Sequence, residues 1–213
     1  QSEALINYLA FLGWNPGTEE EIMNLDQLIS KFDFSRVQKK SAVFDHKKLD
    51  WISSKYLAKQ NSNNILNSIR KINPDWGLSK DDAYCIKVIN ILRSRCKSLS
   101  DIILNSEYFF SVPKFFPNNN INNIWKNSDK MIIVEIIQLF NNLDSWHKGP
   151  LEKLFNEFLN KKAYSFGKVF KPVRFALSGR TNGPSLFELM EILGKDSSIN
   201  RLKTAMNEFK IDE

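Results

Sequence analysis

Apolar residues recur along this chain every three to four positions, the period of an amphipathic helix, in one segment after another. Residues 4–12 place Leu5, Tyr8, Leu9 and Leu12 on one face, with Gly13 as a terminator. In FDHKKLDWISSKYLAK, Asp45 precedes a stripe of Leu49, Ile52, Tyr56 and Leu57 and is the expected N-cap. LSKDDAYCIKVINILRSR has Ser79 as its expected N-cap, Asp82 in the first turn and basic residues in the last, which complements the helix macrodipole. SDKMIIVEIIQLFNNL opens at Ser128 and is apolar on most sides, which predicts a buried central helix. In GPSLFELMEILG, Ser185 and Glu188 have capping-box spacing, Leu186, Leu189, Met190 and Leu193 form the stripe, and Gly194 is the stop. Strand patterning is thin. VFKPVRF is the best candidate, and Pro172 restricts it to an edge or an extended loop. The prediction is all-α, in two or three packed helical pieces, with VPKFFPNNNINN as a boundary between them.

Composition adds a charge to this picture. The 213 residues are 42% hydrophobic, enough for one large core or two small ones. The net charge is +6, and residues 1–60 balance to zero, so the surplus lies in 61–213. From Phe158 to Gly183 there is no Asp or Glu, yet Lys161, Lys162, Lys168, Lys171, Arg174 and Arg180 all fall inside, interleaved with Tyr164, Phe166, Phe170 and Phe175. Lys and Arg meet phosphates, and unpaired bases need a π-face or a guanidinium fork. A second basic cluster, Arg93, Arg95 and Lys97, ends a helix. Most of the aromatics are expected in the core.

The rest of the chemistry narrows by elimination. Cys85 and Cys96 are eleven residues apart in one helical segment, roughly 16 Å at helical rise and too far for a disulfide, so two free thiols are expected in a reducing cytoplasm. His46 and His147 lie apart from them, and no zinc-ligand spacing results. No Gly-rich phosphate cradle and no nucleophile elbow is present, so no residue is nominated as catalytic and none as a metal ligand. No run of apolar residues is long enough to span a bilayer. The chain starts without Met and almost inside a helix, as expected of a piece of a longer protein. Two functional classes follow: recognition of nucleic acid, or a helical protein–protein interaction module with a basic surface.

Long blocks of the sequence resemble a known family. EALINYLAFLGWNPGTEEEIMNLDQLISKFDFSRVQKKSAVFDHKKLDWISSKYL resembles the region after the catalytic domain of bacterial glutamyl-tRNA synthetases, and KPVRFALSGRTNGPSLFELMEILGK resembles their C-terminal signature. The resemblance covers essentially the whole chain. It implies stem-contact helices at 1–60, then an α-helical cage that binds the anticodon, in two subdomains at 61–115 and 116–213. It implies a class I ligase that joins glutamate to tRNA(Glu) with ATP, is monomeric and cytoplasmic, and takes no DNA and no membrane as partner; tRNA(Gln) stays open as a second substrate. The catalytic domain is expected upstream, with ATP and magnesium bound there and no cofactor in this chain, which alone is not expected to catalyse. By the same resemblance Arg95, with Arg93 beside it, reads the third anticodon base, a guanidinium fork suiting the acceptors of cytosine. Arg174 and the turn at Gly183, Pro184, Ser185, Leu186 and Phe187 hold the other bases, with Arg180 a departure from the family pattern. Arg36, Lys39, Lys40, Lys47 and Lys55, together with Lys161, Lys162, Lys168 and Lys171, are candidates for contacting tRNA phosphates.

Overall fold

A buried asparagine organises the first helices. In α1 (Ser2–Gly13) the buried residues are Ala4, Asn7 and Tyr8, while Leu5 and Leu9, expected in the core, are exposed. The face is rotated because Asn7 is fully satisfied inside: its Nδ2 donates to the Glu21 carbonyl at 3.0 Å, and its Oδ1 accepts from Met23 N at 2.8 Å and from the Tyr56 hydroxyl at 2.9 Å. A buried amide with every partner supplied competes on equal terms with a leucine. The loop after α1 is fixed in this way and delivers α2 (Leu25–Lys31), where Asn24 and Gln27 form a reciprocal capping box.

The structure is a computed structural model that describes residues 2–39, 41–113 and 127–208, with the side chains of 127–129 left aside. Lys40, the side chain of Ser128, and the expected boundary stretch after Pro113 lie outside the described residues. Described are eleven α-helices and two 3-10 turns; among the described residues the sole β pairing is the isolated bridge between Trp14 and Val37. The all-α expectation holds. No helix among the described residues is long and apolar enough to cross a membrane.

The chain divides into two compact units, Gln1–Asn105 and Ser106–Glu213. In the first, α3 (His46–Lys59) is capped by Asp45, as expected, and packs Ile52 against Ala4 and Tyr8 of α1. α4 (Ser62–Ile72) packs on α5 (Asp82–Leu92). The cap of α5 is Asp81, whose side chain accepts from Tyr84 N at 2.7 Å, and not Ser79. Ser79 is taken up by the tight turns from Asn73 to Lys80, so the helix starts two residues later. Cys85 and Cys96 are free and buried, the first inside α5 and the second just after the 3-10 turn Arg93–Arg95. α6 (Leu99–Phe110) follows.

In the second unit, α7 (Asn127–Asn141), α8 (Lys148–Lys162), α9 (Phe166–Ser178), α10 (Leu186–Leu193) and α11 (Lys195–Glu208) surround an aromatic centre. The Phe155 ring lies 5.5 Å from Phe140, 5.3 Å from Phe170 and 5.5 Å from Phe187, centroid to centroid. Two expectations change here. α7 is buried on one face only, since Ile132, Ile133, Ile136, Ile137 and Phe140 are inside while Met131 and Val134 are exposed. VFKPVRF is helical, with Pro172 inside α9. Val169, Phe170, Val173, Ala176 and Leu177 are all buried. That spacing has the helical period, and burial of five apolar side chains at roughly 1.5–3 kcal/mol each outweighs the roughly 3 kcal/mol a helix loses to an internal proline.

Candidate nucleic-acid interface

The acid-free segment folds into the end of α8 and all of α9. Lys168 and Lys171 are exposed and lie three residues apart on α9, with Arg174 three further on, so the three form one stripe along the helix. The stripe runs toward the turn from Gly179 to Pro184. The turn is held by α9 itself. Arg174 Nη1 donates to the Pro184 carbonyl at 2.7 Å, and the Ser178 hydroxyl donates to the Arg174 carbonyl at 2.8 Å and accepts from Arg180 N at 3.2 Å. Gly183 has a φ of 150°, and a Cβ there would stand 3.4 Å from Arg174 Nη1, so this position suits a residue without a side chain.

The turn delivers the N-terminus of α10. Ser185 is its N-cap residue, but its side chain makes no capping bond, and the expected box with Glu188 does not form. Glu188 reaches instead to Lys148 at 2.7 Å, an ion pair that raises the lysine's pKa chiefly through this hydrogen bond. Glu191 likewise accepts from the backbone N–H of Lys148 at 2.7 Å. The acids of α10 are thereby drawn to the start of α8, and the first-turn amides of α10 are not occupied by the cap side chain. Pro184, Leu186 and Phe187 are buried, and Phe187 packs on Phe155 and Phe170. Around the turn, then, backbone groups and Arg174 are what can meet a ligand, whereas the side chains of Leu186 and Phe187 belong to the core.

The other basic candidates of this unit separate by partner. Lys161 is exposed, Lys162 is paired with Glu135 at 2.8 Å, and Lys168 lies 5.0 Å from the Tyr164 ring centroid. Phe170 and Phe175 are core, and of the interleaved phenylalanines Phe166 is exposed, stacked on Phe170.

A cavity of about 370 Å³ lies beside the turn, lined by Glu107, Tyr108 and Ser111 from the end of α6 and by Ser178, Gly179 and Arg180, among others. The Arg180 guanidinium sits over the Tyr108 ring, 5.6 Å from its centroid. Behind this wall Arg201 of α11, 5% exposed, donates to the carbonyls of Tyr108 at 2.7 Å, Leu177 at 2.6 Å and Ser111 at 3.2 Å. Sequence reasoning missed Tyr108 and Arg201. The available signal was an arginine beside the apolar stripe Ser198, Ile199, Leu202 and Ala205 of α11, all buried.

In the first unit the RSRCK cluster splits by role. Arg93 is half-buried and donates to the Gln60 carbonyl at 3.0 Å and the Ser62 hydroxyl at 3.3 Å, which joins the end of α3 to the start of α4. Lys97 pairs with Asp50 at 3.1 Å. Arg95 is exposed and makes no side-chain hydrogen bond or ion pair among the described residues. Arg36 donates to the Pro16 carbonyl, and Gly17 lies so close that a Cβ there would stand 2.8 Å from its Nη1; this arginine shapes a loop. Lys39 and Lys47 are exposed, and Lys55 lies 5.7 Å from the Trp51 ring centroid.

Known proteins resemble this chain along its whole length. The family model described as an anticodon binding domain matches residues 54–206, and the catalytic-domain model of class I tRNA synthetases (E and Q) matches residues 1–51, so the two meet within α3. Among curated relatives, the glutamate–tRNA ligase of Flavobacterium johnsoniae is 32% identical over 96% of this chain, and that of Moorella thermoacetica 35% identical over 95%. The chain spans 41% and 43% of their respective lengths. The crystal structure of a glutamate tRNA ligase from Elizabethkingia meningosepticum, in complex with its amino acid, superposes with a TM-score of 0.88 at 28% identity, over 98% of this chain and 41% of that one. With the first of these models covering well over half of it, the chain belongs to the anticodon binding domain family.

Proposed function

We propose that this chain is the RNA-reading part of a glutamate–tRNA ligase, and that it grips tRNA(Glu) by its anticodon while the rest of the enzyme activates glutamate. The observation that carries the reading is the acid-free face of α9, where exposed Lys168 and Lys171 lead to Arg174 and a turn of accessible backbone, in a segment that falls under the anticodon-binding match. The exposed Arg95 adds a second guanidinium for a base edge. ATP and magnesium belong to the rest of the ligase, which works as a monomer in the cytoplasm. Whether tRNA(Gln) is accepted depends on how the third anticodon base is read. The test is a gel shift of this chain with tRNA(Glu) transcript at rising salt. Retardation at low salt, weakening steeply as released counterions compete, is expected. No retardation at low salt overturns the reading and favours a helical protein-interaction module.

A further inference from the structure

We propose that the cavity beside the turn is a pocket for one unpaired base of the bound RNA loop, with the guanidinium of Arg180 as its stacking platform. The inference rests on the RNA-binding reading above. Arg180 is set in place from both ends. Its backbone N–H is fixed on the Ser178 hydroxyl at 3.2 Å, and its guanidinium lies over the Tyr108 ring. Tyr108 is itself immobile: it is 5% exposed, is backed by Phe109 with centroids 4.6 Å apart, and its carbonyl is held by Arg201. A planar cation laid on a fixed aromatic ring loses little freedom when a second flat group joins the stack. Arginine planes are among the surfaces on which splayed RNA bases stack.

The surroundings select a base over a phosphate. The cavity's walls include Val112, Pro113 and Tyr108 as well as Glu107, an acid at the one place on this surface where a phosphate oxygen would be repelled. A carboxylate accepts from the amino and imino groups of a base edge. The phosphates are met outside, along Lys168 and Lys171. At about 370 Å³ the cavity falls in the roughly 300–1,000 Å³ range of small-ligand pockets. The turn beside it, with Gly183 against Arg174 and 3.7 Å from the Tyr108 hydroxyl at its notional Cβ, lets a backbone pass closely.

The test uses the whole chain and an anticodon stem-loop RNA in which each loop position in turn is made abasic, with affinity read by fluorescence anisotropy. For the wild type, one abasic position should weaken binding roughly five- to hundred-fold, the range for loss of a stacked base. With Arg180→Ala that position should cost nothing further, because stack and platform are lost together. Arg180→Lys should keep the salt dependence of the wild type yet behave like Arg180→Ala at that position, since it retains the charge and lacks the plane. If every abasic position costs the same in wild type and both variants, the pocket is overturned while the RNA-binding reading stands. Failure of the unmodified loop to bind the wild type overturns both. Free nucleoside monophosphates binding as tightly as the loop would also overturn the assignment to a loop base.

Discussion

Arg174 holds the carbonyl of Pro184 at 2.7 Å, so one arginine is both a positive charge on the basic stripe and the tie that shapes the turn beside it. The two roles can be separated. Arg174→Ala should destabilise the chain by about 1–3 kcal/mol in urea unfolding, the worth of a hydrogen bond from a charged donor plus the carbonyl left behind, and should abolish most RNA affinity. Arg174→Gln keeps an amide donor without the charge. It should recover part of the stability but retain a shallower salt dependence of RNA binding. Full recovery of both by Gln would show that the charge has no part in binding.

Arg93 and Arg95 are two residues apart and should respond in opposite ways. Arg93 spans two elements through the Gln60 carbonyl and the Ser62 hydroxyl, so Arg93→Ala is expected to lower stability by about 1–2 kcal/mol. Arg95→Ala should leave the melting curve within about 0.5 kcal/mol of wild type, as exposed positions do. It should weaken anticodon stem-loop binding by roughly 1–3 kcal/mol and relax discrimination between C and G at the third position. Equal affinity for both loops in wild type and variant would remove Arg95 from the base-reading set.

The contrast between these neighbours marks how far the sequence could be read. Helix content, the Asp45 cap and the α10 stripe follow from local period and capping chemistry, and all three are present. Which arginine of RSR is structural does not follow, because its partners Gln60 and Ser62 are some thirty residues away. The Ser185–Glu188 box failed for a similar reason, since Lys148 offered the carboxylate a stronger partner from another helix. VFKPVRF misled because proline was weighed locally, whereas the face it interrupts is decided by what packs against it.

Asn7 is the clearest case of a tertiary override, and it carries a prediction. Its two polar atoms bind the Glu21 carbonyl, the Met23 amide and the Tyr56 hydroxyl, so Asn7→Leu would add apolar surface yet strand three partners. Despite its better helical pattern this variant should be less stable by roughly 2–4 kcal/mol, as expected when several buried polar groups lose partners together. Tyr56→Phe should cost less, about 1 kcal/mol, because Asn7 keeps its backbone bonds. A stabilised Asn7→Leu would mean the network adds nothing.

The buried thiols give a pH dependence with a definite sign. Burial is the main cause that pushes both Cys85 and Cys96 above the usual thiol pKa of 9.0. A group whose pKa is raised on folding contributes its full stability below the unfolded value and loses it as pH climbs toward the folded one. Unfolding free energy should therefore be flat with respect to these groups below about pH 8 and fall above about pH 9, by at most about 1.4 kcal/mol per pH unit for each thiol. In the Cys85→Ala, Cys96→Ala double variant that alkaline slope should flatten. Tyr56, raised by burial and then by Glu3, adds a fall of the same sign at still higher pH. At neutral pH the native thiols should react with a disulfide reagent only as fast as the protein opens, since they are protonated and enclosed.

Arg201 provides the sharpest test of how the RNA-facing wall of the second unit is supported. Its side chain is inside the protein, and the three carbonyls it holds include those of Tyr108 and Ser111 near the end of α6 and of Leu177 in the last turn of α9. Carbonyls at helix C-termini carry the negative end of the macrodipole, so one guanidinium both satisfies them and is itself compensated. Arg201→Met fills much of the volume but leaves the carbonyls without donors, and should destabilise by about 3–5 kcal/mol, as when one partner of a buried charged contact is removed. Arg201→Lys reaches fewer of the three and should fall between. Because Tyr108 and the segment after Leu177 line the cavity, Arg201→Lys should also weaken stem-loop binding at temperatures where it is fully folded, without changing the salt slope set by the surface lysines. Unchanged binding by the folded Arg201→Lys protein would show that the wall keeps its shape without the clamp, and would confine Arg201 to stability alone.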